Sequence, residues 1–138
     1  MGKLTLDLEY DFDFLLIGIS CHAPDYRLSW ALNKHFDIDL ERLKDIDLQL
    51  DKTTKGFFSF YSFDDEEGHT AINLISNRSS AGYLIPEMKQ MDYFIQYWGP
   101  FSDIEFSEFN QQIRGLPVVL TSLIVDPIAL KSKHNLLF

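Results

Sequence analysis

The sequence has 138 residues and a formal net charge of −9, from 21 acidic and 12 basic side chains. Its length fits a single domain, residues 1–138, and its hydrophobic fraction of 46% is enough for a core that needs no disulfide or metal. The negative charge disfavours direct contact with nucleic acid or an anionic lipid surface, because both carry charge of the same sign.

Cysteine content and apolar runs bear on location. Cys21 is the only cysteine, so the chain cannot form an internal disulfide, and a thiolate zinc site is disfavoured. The sequence starts on an alternating pattern instead of an apolar leader, and its longest apolar run, residues 14–19, is too short to span a bilayer. We therefore expect a cytoplasmic protein that is not inserted in a membrane.

The first predicted element is a strand. Residues 4–14 alternate between apolar and polar side chains, which is typical of a strand with one solvated face. The pattern then becomes continuously apolar as far as Ile19, as in a strand covered on both faces. Gly18 marks either a bulge or the close approach of another segment.

A helix follows, and then a segment of mixed character. Pro24–Asp25 begins the helix, because proline suits a first turn and an acidic side chain complements the positive end of the helix dipole. The helix ends near His35. Further on, the alternation of residues 46–50 predicts a strand, whereas residues 39–44 have the composition of a turn.

The middle of the chain predicts a β-hairpin and a short corner. Residues 56–63 and 70–76 are apolar and rich in aromatic side chains, and the acidic, glycine-containing segment 64–68 joins them. That segment is typical of a solvated hairpin tip and lacks the ligand spacing of a calcium-binding loop. Residues 77–80 predict a loop, and residues 83–85 predict a short strand.

The last third of the chain predicts two strands and a second helix. Residues 92–98 form the first strand, which ends at Gly99. Ser102 and Glu105 have the spacing of a capping box, so a helix begins there and runs to about Arg114. Residues 118–125 then have the composition of a buried strand.

These elements together predict an α+β fold: a single domain with a mostly antiparallel β-sheet and two main α-helices packed on one face. The strand at 92–98, the second helix and the strand at 118–125 predict a local right-handed βαβ crossover.

The stretch Ile85–Tyr93 reads IPEMKQMDY and resembles the motif for which the IPExxxVDY family of bacterial proteins is named. Met91 stands where the family motif has valine. Residues 25–36 and 126–136 also resemble this family, so the resemblance extends over most of the chain. It transfers no catalytic residue and no cofactor to this sequence. The motif residues are Ile85, Pro86, Glu87, Asp92 and Tyr93.

The reactive groups of the motif admit two interpretations. Glu87, Asp92 and Tyr93 could share acid and base roles in a pocket if burial separated their pKa values. Adjacent residues on a strand face opposite ways, however, which separates Asp92 from Tyr93. We favour a structural interpretation, in which the Glu87 carboxylate accepts backbone N–H groups of the following turn, Asp92 anchors the next strand, and Tyr93 enters the core with a bonded hydroxyl.

Cys21 and His22 are a second candidate pair, because the N-terminus of the predicted helix would favour a thiolate. Neighbours on an extended segment face opposite ways, so His22 is poorly placed as a base for Cys21, and we favour a structural role. Histidines are scattered and no glycine-rich nucleotide-binding loop occurs, so the sequence predicts no metal and no cofactor.

Aromatic residues exceed what one face of a sheet needs. Strand alternation directs half of them away from the helices, so the second face is either covered by other segments or available to a partner. We predict an interface on part of this sheet, with residues 136–138 packed internally. The candidate interface residues are Phe57, Phe58, Phe60, Tyr61, Phe63, Tyr97 and Trp98.

The sequence therefore favours a non-enzymatic protein that acts through protein–protein contacts, as an adaptor, an accessory subunit or a self-associating homo-oligomer. The alternative is a small-molecule-binding protein or enzyme with a pocket near Glu87, Asp92 and Tyr93. A third hypothesis is that the acidic surface imitates nucleic acid and binds a basic protein, which would make binding strongly dependent on salt.

Overall fold

The computed structural model describes residues 12–138 and contains one six-stranded antiparallel sheet and two α-helices. The predicted α+β class is confirmed. The strand order is β2-β3-β4-β5-β1-β6. The strands are β1 (Leu15–Ser20), β2 (Glu41–Gln49), β3 (Lys55–Asp65), β4 (Thr70–Ser76), β5 (Tyr93–Trp98) and β6 (Thr121–Val125), and the helices are α1 (Asp25–Phe36) and α2 (Asp103–Arg114).

Local signals located several elements well. Ser102 precedes α2, and its hydroxyl accepts the Glu105 N–H at 3.1 Å, which confirms the predicted N-cap. The same hydroxyl donates to Glu105 Oε1 at 3.0 Å. The hairpin of β3 and β4 is also present, with both bounds close to those predicted. α1 ends at Phe36, and the left-handed backbone of the next residue, Asp37 (φ 54°), caps the helix. The strand predicted over residues 4–11 lies outside the described residues.

Three local predictions were wrong. Residues 41–44 belong to β2 and do not form a turn; the register against β3 shifts between Leu43 and Ile46, and this irregularity disguises the alternation. Residues 83–85 contribute a single bridge, between Arg78 and Tyr83, and no strand. β6 begins at Thr121 instead of residue 118, because the chain first makes a turn in which Val119 N–H donates to the Leu116 carbonyl.

The predicted βαβ crossover between β5 and β6 does not join neighbouring strands. β1 lies between these strands and is antiparallel to both, so β5 and β6 run parallel without being neighbours. α2 therefore connects two strands across β1.

Both helices pack on the same face of the sheet, as predicted. Leu28 and Leu32 of α1 share one core with Phe106, Phe109 and Ile113 of α2. A second core lies on the opposite face, where Ile85, Met88 and Met91 of the IPEMKQMDY stretch and the C-terminal segment, residues 130–138, cover the strands. Its buried members are Phe12, Phe14, Leu16, Ile46, Phe58, Ile75, Leu84, Ile85, Met91, Phe94, Val125 and Leu136.

Gly18 marks a close approach in this second core. A Cβ atom at Gly18 would lie 2.8 Å from the Met91 sulfur and 2.9 Å from its Cγ, so Met91 packs directly over the glycine backbone. No helix among residues 12–138 is long and apolar enough to cross a membrane.

Candidate functional site

Pro86 begins a single turn of 3₁₀ helix, Pro86–Met88, and this turn presents Glu87 to the C-terminal segment. The Ser132 N–H donates to Glu87 Oε2 at 2.7 Å, and the Ser132 hydroxyl donates to Oε1 at 2.8 Å. The predicted acceptor role is present, but these donors come from a segment 45 residues later and not from the following turn. Glu87 therefore fastens the C-terminal segment to the sheet.

The titration of Glu87 gives a testable pH dependence. Burial is the largest single influence and acts to raise its pKa, but the hydrogen bonds from Ser132, together with smaller ones from the backbone of Glu87 and Lys131, hold the pKa below its ordinary value of 4.5. A carboxylate whose pKa falls on folding stabilises the protein above the unfolded-state value, and this stabilisation is lost as the pH falls through the folded-state pKa. We expect Glu87→Gln to lower the free energy of unfolding by about 1 kcal/mol at pH 7, a value reduced for solvent exposure.

Urea unfolding between about pH 3 and pH 7 checks this expectation. The variant should lose less stability than the parent protein below pH 4.5. Glu108→Gln, at an exposed position of α2, is the matched control and should leave the pH profile unchanged. Parallel pH profiles for Glu87→Gln and the parent would contradict the role assigned to the carboxylate.

Asp92 joins three segments of the chain. It is 9% exposed; its Oδ2 accepts the Cys21 N–H at 2.8 Å, and its Oδ1 lies 2.6 Å from Arg78 Nε. The Asp92 N–H also donates to the Ile19 carbonyl. Both carboxylate oxygens thus hold the start of β5 against the end of β1 and the loop after β4.

Asn77 holds together the segment between β4 and β5 by hydrogen bonds, at a position where the sequence predicted a loop. Asn77 is fully buried; its amide donates to the carbonyls of Met88 and Met91 at 2.9 and 2.8 Å, and its Oδ1 accepts the Ile85 N–H at 2.7 Å. The available signal was the capacity of an asparagine side chain to act as donor and acceptor for backbone groups. The residue type alone does not indicate which backbone groups the side chain will contact.

Tyr93 lies in the core on the helix side, and its hydroxyl donates to the Ala23 carbonyl at 2.7 Å. Burial, with smaller contributions from Cys21 and Asp25, raises the pKa of Tyr93 far above the ordinary value of 10. The hydroxyl therefore stays protonated at neutral pH and serves as a structural donor.

Asp92 and Tyr93 meet Cys21 and His22 at one cavity of about 480 Å³, which Arg78 also lines. β5 begins at Tyr93, so Asp92 lies just before the strand, and the alternation that was expected to separate Asp92 from Tyr93 does not apply to this pair. Glu87 is not among the lining residues.

The thiol at this cavity is poorly suited to nucleophilic chemistry. Cys21 is 2% exposed, and burial raises the pKa of its thiol, which disfavours the thiolate. Within residues 12–138, no cluster of three or more His, Cys, Asp or Glu side chains is arranged to hold a metal ion.

The candidate interface on the sheet is largely covered. Phe58, Tyr61 and Tyr97 are buried inside the chain, so the prediction that they form an accessible surface is wrong. Phe60, Phe63 and Trp98 are half-buried, and Phe57 is exposed. The C-terminal segment provides part of the cover: Leu136 is buried, and the ring of Phe138 lies 5.1 Å from that of Phe60.

An apolar groove on α1 replaces this surface as the candidate contact site. Its volume is about 470 Å³, and Tyr26 and Trp30 stand 65% and 63% exposed beside it. We call it the α1 groove; its lining residues are Tyr26, Arg27, Trp30, Ala31, Pro117 and Val118.

The sequence contained a signal for the α1 groove. Tyr26 and Trp30 are spaced i, i+4, and the buried pair Leu28 and Leu32 repeats this spacing two positions later. Two positions on a helix correspond to about 200° of rotation, so these pairs form stripes on opposite sides of α1. One stripe faces the sheet, and the other faces outward.

No family model, curated protein or solved structure matches this chain. The resemblance to the IPExxxVDY family therefore stays a prediction that rests on the motif residues and on the two further segments.

Proposed function

We propose that this protein is non-enzymatic and acts through contact with another protein, as an adaptor or accessory subunit. One observation carries the proposal: Tyr26 and Trp30 expose their rings beside an apolar groove. Large aromatic side chains next to a pocket are the usual anchors of protein interfaces, where tryptophan and tyrosine contribute most of the binding energy.

The charges around the α1 groove indicate what it would bind. Arg27 lines the groove, and Lys34 Nζ lies 4.9 Å from the centre of the Trp30 ring. These two cations form a basic rim on a chain whose net charge is −9. The partner we propose is a segment that inserts an apolar side chain into the groove and offers a carboxylate to the rim.

The alternative function, small-molecule binding or catalysis near Glu87, Asp92 and Tyr93, has weaker support. Each of these groups is engaged in a bond that holds the fold: Glu87 with Ser132, Asp92 with Cys21 and Arg78, and Tyr93 with Ala23. A catalytic acid or base instead needs its reactive atom within reach of a substrate.

Location and family are also part of the proposal. A reducing cytoplasm suits a chain whose single cysteine is a buried free thiol. The acidic charge argues against direct nucleic-acid binding, and membership of the IPExxxVDY family is inferred from Ile85–Tyr93.

Affinity capture from native cells with Trp30→Ala tests the proposal. Trp30 is exposed, so the variant should fold with a stability within about 0.5 kcal/mol of the parent. We expect capture of a specific partner to fall at least about tenfold, because an interface anchor of this type contributes about 2 kcal/mol or more.

Ile104→Ala is the matched control, since Ile104 is 74% exposed on α2 and does not line the α1 groove. It should retain the partner. The proposal is wrong if the parent protein, Trp30→Ala and Ile104→Ala recover the same proteins in equal amounts, or if none recovers a specific protein.

A further inference from the structure

A further cavity lies at the end of the sheet where β1 begins and β5 ends, next to the paired residues Leu15 and Tyr97. Its volume is about 420 Å³, which is within the range of small-molecule sites. We call it the β5 cavity. Four aromatic side chains and one carboxylate line it: Phe14, Tyr97, Trp98, Phe101 and Asp13.

The Tyr97 hydroxyl is a polar group of this cavity that the fold leaves unused. Tyr97 is 8% exposed, and its hydroxyl has no hydrogen-bond partner among residues 12–138. Every fully buried side-chain oxygen in the described part of the chain does have a partner, so this oxygen keeps accessible surface. A largely buried tyrosine usually bonds its hydroxyl, as Tyr93 does to the Ala23 carbonyl. The Tyr97 hydroxyl is therefore free to bond a ligand.

The charges around the β5 cavity are negative. Asp13 is exposed and forms no ion pair with another described residue. Burial raises the pKa of Tyr97, and the carboxylates of Glu105 and Asp65 raise it further, so both lie close enough to act on the hydroxyl. No lysine, arginine or histidine of residues 12–138 lines the cavity. This field favours a cation as the ligand.

The aromatic walls favour an organic cation over a metal ion. The ring centres of Tyr97 and Phe101 are 4.6 Å apart on the helix side of the sheet, and those of Phe14 and Trp98 are 5.0 Å apart on the other side. Aromatic faces attract ammonium groups, and their carbon surface packs against apolar groups. A hard metal ion instead needs about six oxygen ligands, far more than Asp13 and one hydroxyl supply.

We propose that the β5 cavity binds a small primary amine in its protonated form, joined to an apolar chain or ring. The ammonium N–H groups donate to the Tyr97 hydroxyl oxygen and to the Asp13 carboxylate, and the apolar part packs against Trp98 and Phe101. The β5 cavity shares no lining residue with the α1 groove, so this inference does not depend on a protein partner.

An NMR titration of the full chain with phenethylamine, at neutral pH and low salt, tests the proposal. The two tryptophans of the chain report separately, because Trp98 lines the β5 cavity and Trp30 lines the α1 groove. We expect the Trp98 indole N–H signal to shift with a dissociation constant on the order of 1 mM, while the Trp30 signal stays in place. Phenethyl alcohol has a similar shape and no charge, and should bind at least about tenfold more weakly.

Two variants remove the proposed polar contacts one at a time. Tyr97→Phe deletes only the unused hydroxyl and should weaken phenethylamine binding about fivefold, whereas Tyr26→Phe, at the α1 groove, should bind like the parent. Asp13→Asn removes the carboxylate and should also weaken binding about fivefold at low salt. Glu41→Gln removes the same charge from β2, at the far edge of the sheet, and should leave binding unchanged.

Three results would overturn the proposal. The first is a Trp98 signal that does not move at about 20 mM phenethylamine, roughly twenty times the expected dissociation constant, as would follow if residues 1–11 closed the cavity. The second is an equal shift with phenethyl alcohol at the same concentration, because the cavity would then recognise the apolar group and not the cation. The third is binding by Tyr97→Phe and Asp13→Asn as tight as that of their controls, because the amine would then use other contacts.

Discussion

Replacing Asn77 by alanine is expected to lower the free energy of unfolding by about 2–6 kcal/mol. The asparagine side chain is fully buried and serves three backbone groups, the carbonyls of Met88 and Met91 and the N–H of Ile85. Alanine leaves the Met91 carbonyl and the Ile85 N–H without partners, whereas the Met88 carbonyl still accepts the Met91 N–H. Each unsatisfied buried group costs about 1–3 kcal/mol. A domain is stable by only about 5–15 kcal/mol, so this variant approaches the limit of folding.

Urea unfolding followed by circular dichroism measures this loss, and Asn135→Ala is its matched control. Asn135 donates one bond, to the Leu84 carbonyl at 2.8 Å, and is half-buried. Its loss should cost about 1 kcal/mol. Equal destabilisation by the two variants would show that the Asn77 bonds contribute no more than the single bond of Asn135.

Asn77→Asp separates the bonding of the side chain from its size. Aspartate keeps an oxygen for the Ile85 N–H but turns a second oxygen towards the carbonyls of Met88 and Met91. Acceptors then face acceptors, so we expect Asn77→Asp to be about as unstable at pH 7 as Asn77→Ala. A stability close to that of the parent would mean that the corner is held by packing alone.

Elements whose determinants lie close together in sequence could be predicted. The N-cap of α2 joins Ser102 and Glu105, three positions apart, and the hairpin joins neighbouring strands. β2 was missed in part because its bulge interrupts the two-residue alternation on which the prediction depended. Strand order could not be derived from such signals, and β1 was therefore not placed between β5 and β6.

The hydrogen-bond partners of the IPEMKQMDY stretch could not be predicted either, because they lie far away in the sequence. Glu87 bonds to Ser132, 45 residues away, and Asp92 bonds to Cys21, 71 residues away. The residue types implied that the stretch accepts hydrogen bonds, but they did not indicate which segments supply the donors. The aromatic interface was misplaced because sequence alternation shows that a second apolar face exists, and does not show that the C-terminal segment covers it.

A second large loss of stability is expected at Gln96, which bonds the C-terminal segment to the sheet. Gln96 is 1% exposed; its Nε2 donates to the Leu136 carbonyl at 2.9 Å, and its Oε1 accepts from Asn73 Nδ2 at 2.9 Å. Asn73 Oδ1 in turn accepts the Ser62 hydroxyl at 2.7 Å. A polar row thus crosses three strands beneath an otherwise apolar cover and ends on the backbone of the C-terminal segment.

Gln96→Leu is expected to lower the free energy of unfolding by about 2–4 kcal/mol. Leucine retains the apolar volume but leaves two buried groups, the Asn73 amide and the Leu136 carbonyl, without partners. Hydrogen exchange should rise first in residues 133–138, because the bond from Gln96 holds that segment to the sheet. Gln111→Leu, at an exposed position of α2, should change stability by less than about 0.5 kcal/mol.

The double variant Asn73→Leu, Gln96→Leu decides whether the row acts as a unit. Removing both partners of a buried bond is far less damaging than removing one, so the double variant should be less destabilised than the sum of the single variants by about 1–2 kcal/mol. Additive losses would mean that Asn73 and Gln96 act independently. A coupled row would instead explain why the cover over the aromatic face is specific: the Leu136 carbonyl finds its donor only when the C-terminal segment lies in this one position.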